Sequence, residues 1–196
     1  MAYAARAFFD NGGSVLYVTR IAHLTDPTDR DTLTALKSSI VLQNREATPA
    51  DALRIEAVNE GVWGDRLSIS IEDGSLDPAN HFNLVVRHKG DVVEVFKDLS
   101  MDETLPNHVE LAINDRSDFI LVQDLAAATG TPGDRPALGV FTLSGGDNGL
   151  TDLADADFIG DPSQHTGLYG FDEIDALNLL MVPGVTTVPE IGRAYV

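Results

Sequence analysis

Several groups of residues in this 196-residue sequence have types that could do chemistry. The stretch "LSGGDNG" (143–149) has glycines that let backbone N–H groups turn inward and cradle a phosphate. It carries no lysine and lacks the GxxxxGK(S/T) spacing, and Asp147 would repel an anion, so a turn after a strand is the plainer reading. Asp147, Asp152, Asp155, Asp157 and Asp161 place oxygen ligands close together, as calcium prefers. The register of an EF-hand, with glycine at the sixth position and glutamate at the twelfth, is absent, and an exposed acidic surface explains them as well. The histidines at 23, 81, 88, 108 and 165 are scattered, without an HExxH pair. A Ser–His–Asp arrangement needs spatial rather than sequential proximity. No GxSxG elbow exists, however, and Ser163 and His165 lie in a loop flanked by proline and glycine. The single tryptophan, Trp63 in "GVWGD", is read as a core anchor ahead of a binding-site aromatic. The expected catalytic, cofactor-binding and metal-binding residues are therefore none, and the chain is not expected to be an enzyme.

Composition narrows the classes further. With 43% hydrophobic residues the chain can build a core. The absence of cysteine excludes a disulfide scaffold, thiolate zinc sites and thiol catalysis. The longest apolar run, "LNLLMV" (177–182), is far short of the roughly 20 residues a membrane span needs. No charged-then-apolar leader opens the sequence, so a soluble protein without membrane insertion is expected. The net charge is −18, from 31 acidic and 13 basic residues. Residues 1–100 carry 15 acids and 10 bases, residues 101–196 carry 16 and 3. Such a surface repels phosphate backbones and disfavours nucleic acid. It suits a basic partner, or simply solubility with salt adaptation.

The elements that would position these residues are legible from pattern. Residues 2–9 read as a helix, stopped by "DNGG". "SVLYVTRIA" (14–22) reads as a strand covered on both faces. Residues 25–51 are polar and loop-like. The period then becomes two. Leu53, Ile55 and Ala57 alternate with Arg54 and Glu56, and Leu67, Ile69 and Ile71 with Arg66, Ser68 and Ser70. "FNLVVR" and "DVVEVFKDL" flank "HKG", a hairpin with Gly90 where φ must be positive. Four half-buried strands argue for a small antiparallel sheet or sandwich. Ser100 with Glu103, Asn107 with Glu110, and Thr187 with Glu190 are spaced as capping boxes. Residues 118–125 read as a strand, 153–160 as a short helix and 176–184 as another buried strand. The fold class is mixed α+β.

Taken in order, six segments resemble the contractile tail sheath family of bacteriophages, phage-tail-like bacteriocins and related contractile injection systems. They are "ARAFFDNGGSVLYVTRI", "EGVWGDRLSISI", "FNLVVRHKGDVVEVFKDLSM", "FTLSGGDNGL", "DFIGDPSQHTGLYGFDEIDALNLLMVPG" and "TTVPEIGRAY". The second is similar to the family's G-x-WGN pattern at a strand start, with Asp65 in place of the usual Asn.

The resemblance implies an α/β sheath core, subtilisin-like in topology without proteolysis, interrupted by a small antiparallel β-sandwich-like domain. On that frame, residues 1–44 are the first part of the core, 45–117 the inserted β domain and 118–196 the continuation. Family subunits are longer, so the chain is expected to be an internal piece without the N- and C-terminal arms that donate strands between neighbours. The implied function is structural. Subunits stack as hexameric rings around a tail tube in the virion tail or a phage-tail-like particle, assembled in the host cytoplasm. They then contract to drive the tube through a target envelope. The implied partners are further copies of the chain, the tail tube protein and the baseplate, and no cofactor is implied. Without arms, this piece is expected to be monomeric at micromolar concentration. Alternatives are another tail or baseplate module and, less favoured, an α/β hydrolase.

Overall fold

A computed structural model describes residues 2–126 and 134–182. The chain divides into two compact units: Met1–Thr34 with Gly149–Val196, and Ala35–Asn148. The fold is mixed α+β.

The first unit opens with α1 (Ala2–Asp10), rich in good helix formers. It stops where "DNGG" was expected to stop it: Gly13 N–H returns to Phe8 O at 2.9 Å, and Gly12 sits at φ +93°. The next segment departs from expectation. Residues 14–22 form no strand, and Val15, Leu16, Tyr17 and Val18 are exposed. A strand covered on both faces exists only where two neighbours hydrogen-bond to it, and among the described residues nothing pairs with this one.

The second unit is all antiparallel. Strands β1 (Ser39–Gln43), β2 (Asp51–Ala57) and β6 (Ile120–Asp124) form one sheet in the order β1-β2-β6. Strands β3 (Leu67–Asp73), β4 (Phe82–His88), β5 (Asp91–Leu99) and β7 (Gly139–Thr142) form the other, ordered β5-β4-β3-β7. The alternation read from sequence is the burial observed: Leu53, Ile55, Leu67, Ile69, Leu84 and Val86 are fully buried. The two inner faces share one core, with Phe82, Leu99 and Ile120 added from the sheets and Val109 and Ile113 from α2 (Val109–Ile113). The β4–β5 hairpin turns through Lys89 and Gly90, at φ +55° and +95°. A two-residue loop with both φ values positive follows the twist of its strands.

The unit begins and ends outside the expected insert of 45–117. β1 lies in the stretch read as loop, because "SIVLQ" is short and follows a polar run; its pairing with β2 makes it a strand. β6 and β7 return to β2 and β3. Isolated pairings of Ser39 with Ser144 and Asn44 with Pro136 then tie the β7 segment to β1, joining the sheets along one side.

On the other side, α2 packs against both β5 and β6. The Asn114 side chain donates to Val122 O at 2.9 Å and accepts from Val122 N–H at 2.8 Å, while Glu110 accepts from Asp124 N–H at 2.7 Å. These side chains occupy the edge of β6 that β2 does not, which blocks pairing with a foreign strand. Glu110 is therefore not a capping-box partner of Asn107, whose amide donates instead to Asp98 O. Ser100 and Glu103 make no helix start either. Ser100 Oγ accepts from Asp102 N–H in a local turn, which competes with helix formation.

Back in the first unit, α3 (Asp155–Ile159) is the expected short helix. Residues 177–182 form no strand, and Leu179 and Met181 are exposed. As with 14–22, apolar composition marks a burial preference, but no partner strand is present among the described residues. The Thr187–Glu190 capping box lies outside the described residues.

Candidate functional site

Two of the sequence segments set apart above, "GVWGD" (61–65) and "LSGGDNG" (143–149), meet at one point of the second unit. Asp65 Oδ1 accepts from Ser38 Oγ at 2.7 Å and from Gly146 N–H at 3.0 Å. Asn148 Oδ1 accepts from Val62 N–H at 3.2 Å, and Gly61 N–H donates to Leu36 O at 2.9 Å. Leu36 and Asp147 exchange both backbone bonds, at 3.0 and 2.9 Å. Both ends of the unit are thereby held side by side where the chain enters and leaves it.

The glycines of this node follow from crowding. A Cβ on Gly146 would fall within contact distance of Ser38 Oγ and Gly61 O. One on Gly64 would lie 2.6 Å from Ser38 Oγ and 2.9 Å from Ala57 Cβ. Ser38 itself is fully buried. Gly61 adopts φ +120°, a conformation an L side chain rarely takes. The backbone N–H that a phosphate would need is taken by the Asp65 carboxylate. The glycine loop is thus occupied by the chain's own acid, and the arrangement can clamp loops rather than bind an anion. Trp63 is partly buried against the core, edge-on to His88 with ring centroids 6.4 Å apart, as a core anchor would be.

The other candidates are not brought together. His23 Nδ1 lies 2.9 Å from Asp157 Oδ2, and His108 Nε2 lies 3.1 Å from Asp124 Oδ2. The His88 ring lies between Trp63, edge-on to it, and Phe119, tilted against it, and His81 Nδ1 is buried without a hydrogen-bond partner. No serine hydroxyl is hydrogen-bonded to a histidine among the described residues. Ser163 Oγ donates to Asp161 instead. Among the described residues no group of three or more histidines and acids could hold a metal ion.

The acids of 152–161 divide by role. Asp161 takes bonds from Ser163 Oγ and from the N–H groups of Ser163 and Gln164, which outweigh its desolvation and hold its carboxyl below the usual range. Asp157 is a buried clasp. Burial pushes its pKa up, but the N–H groups of Ala154 and Leu24 and the His23 ring more than offset this, so the net shift is downward.

Sequence inspection set apart residues 61–65 and 143–149 separately and did not find Ser38 or either His–Asp pair. Their partners lie 27, 134 and 16 residues away, beyond any local signal.

No protein-family model and no curated protein matches the sequence. Among solved structures, the chain is similar to a sheath tail protein from Desulfitobacterium hafniense, with 16% identity over 81% of this chain and a TM-score of 0.46. It is also similar to a sheath tail protein from Listeria innocua, with 12% identity over 58% of this chain and a TM-score of 0.40. The match spans 30% and 20% of those two proteins' lengths. Among the described residues no helix is long and apolar enough to cross a membrane.

Proposed function

We propose that this chain is a structural subunit of a contractile tail sheath, part of a phage or phage-tail-like particle, whose copies stack around a tail tube and rearrange on contraction. The observation that carries the reading is the role of the segments that resemble the family. "GVWGD" and "LSGGDNG" are spent on a hydrogen-bonded clamp at the ends of the second unit. A clamp of this kind suits a domain that must move as one body while load passes through its two connections. Asp65 fills the position of the family's Asn with the same acceptor atom, so the substitution leaves the clamp intact. Contraction needs differential contacts between two packings of one subunit and no reacting group.

Negative-stain electron microscopy of the whole gene product, alone and with tail tube protein, tests this. Hollow helical tubes are the expected result. Discrete particles with no tubes under either condition would overturn it in favour of a baseplate or other tail module.

A further inference from the structure

Buried apolar side chains are divided unequally between the two units. The core cluster, from Leu42 to Leu143, lies wholly in the second. Among the described residues of the first unit, only Leu24 and Leu168 are buried apolar side chains. Val15, Tyr17, Val18, Leu150, Leu179 and Met181 of the same unit are exposed. Hydrogen bonds stand where a core would be. Asp157 gathers the N–H groups of Leu24 and Ala154 and the His23 ring, and His23 N–H donates to Gly149 O at 2.7 Å. A unit closed by polar links over little buried area opens at a low free-energy cost.

Charge loads the same unit. Its residues carry 12 acids and four bases, and residues 149–182 hold seven acids with no lysine or arginine. Asp152, Asp155, Asp172, Glu173 and Asp175 are exposed there. Asp172, Glu173 and Asp175 fall within about 11 Å of chain. Exposed charges feel one another over about 10 Å in 0.1 M salt and over only about 3 Å in 1 M. The self-repulsion that opposes closure therefore fades as salt rises. The second unit also has an acid excess, 19 against nine, but spreads it over a two-sheet core.

We propose that the first unit is an ionic-strength switch, open at low salt and closed when monovalent cations at molar concentration screen its carboxylates, while the second unit stays folded throughout. The thin core makes closure marginal, and the uncompensated acids of 149–182 decide its sign. The acid excess of this chain is then more than a solubility device: it ties the order of one unit to the salt of the medium. The switch goes beyond the sheath reading and does not rest on it.

Hydrogen exchange of the whole 196-residue chain, read by mass spectrometry at neutral pH in about 0.05, 0.5 and 2 M potassium chloride, tests this. The amides of Leu24, Ala154, Asp157 and Tyr169 are hydrogen-bonded in the closed unit. They should exchange about tenfold more slowly at the highest salt than at the lowest, while amides of β3 and β4 change less than about twofold. The triple variant D172N/E173Q/D175N removes three exposed charges at nearly constant shape. At the lowest salt it should slow the same first-unit amides about threefold. Sucrose, which strengthens burial without screening charge, should not reproduce the selective slowing. Spectroscopy gives a second reading, because all four tyrosines fall in the first unit and the single tryptophan, Trp63, in the second. Near-UV tyrosine dichroism should grow with salt at constant Trp63 emission. Equal slowing in both units, no slowing in the first, selective slowing by sucrose, or a triple variant that matches the parent at low salt would overturn the switch.

Discussion

Ser38 Oγ donates to Asp65 Oδ1 across 2.7 Å, joining residues 27 apart in sequence, and the same oxygen takes the N–H of Gly146. Through one atom, three loops of the second unit share an acceptor, next to the points where the chain enters and leaves it. The position is occupied by asparagine in the family pattern this sequence resembles, and the geometry shows why either residue serves: only Oδ1 is used.

Asp65→Asn is therefore expected to change unfolding free energy by less than about 0.5 kcal/mol, whereas Asp65→Ala orphans a buried hydroxyl and costs about 1–3 kcal/mol. Urea unfolding of both variants checks the order. Equal losses would mean that the carboxylate's charge, and not its oxygen, holds the node.

The amide of Asn114 guards the edge of β6 by bonding both backbone groups of Val122. Asn114→Ala should cost about 2 kcal/mol and raise the rate of aggregation, and Asn114→Asp, which keeps only the acceptor, should fall between. Thermal unfolding and light scattering on the three proteins would show a graded series. An alanine variant as stable as the parent would remove the edge-guard role.

Asp157 carries a pH dependence of definite sign. Its carboxyl is held below the usual aspartate range in the fold, so it binds a proton more readily when unfolded. Its stabilising effect is complete above the unfolded aspartate value, near pH 4, and is lost as pH falls through the lower folded value. Asp157→Asn should flatten this part of the stability-against-pH curve, measured between about pH 5 and 2. A curve of unchanged slope would place the acid sensitivity elsewhere.

Phe82 is fully buried in the core that both sheets share. Phe82→Leu is expected to cost about 1 kcal/mol and Phe82→Ala about 3–5 kcal/mol, while the exposed Val140→Ala stays within about 0.5 kcal/mol. Chemical denaturation ranks the three, and a costly Val140→Ala would contradict the exposure of that side chain.

Much of the second unit could be read locally. In β2, β3 and β4 the core side chains recur at every second residue, as Leu53, Ile55 and Ala57, Leu67, Ile69 and Ile71, and Phe82, Leu84 and Val86 do, so a period of two is written into adjacent residues, although Ser70 and Val85 between them are buried as well. The Lys89–Gly90 turn and the glycine stop after α1 are equally local, since each depends on backbone freedom at one or two positions. Residues 14–22 and 177–182 show the limit of such reading. Their β-branched and apolar side chains state a preference for burial, but a ladder with a neighbouring strand makes a strand, and no strand pairs with these segments among the described residues.

The candidate site divides the same way. Glycines at 61, 64, 145, 146 and 149 and the acid at 65 mark two tight loops from the sequence alone. That the acid of one loop fills the other, with Ser38 supplying the third contact, was decided by the antiparallel return of residues 144–147 along 36–39. Local sterics and periodicity are properties of neighbouring residues, and the sequence by itself determined them. Which distant acceptor a buried donor finds depends on how the chain closes on itself, and only the tertiary structure decided that.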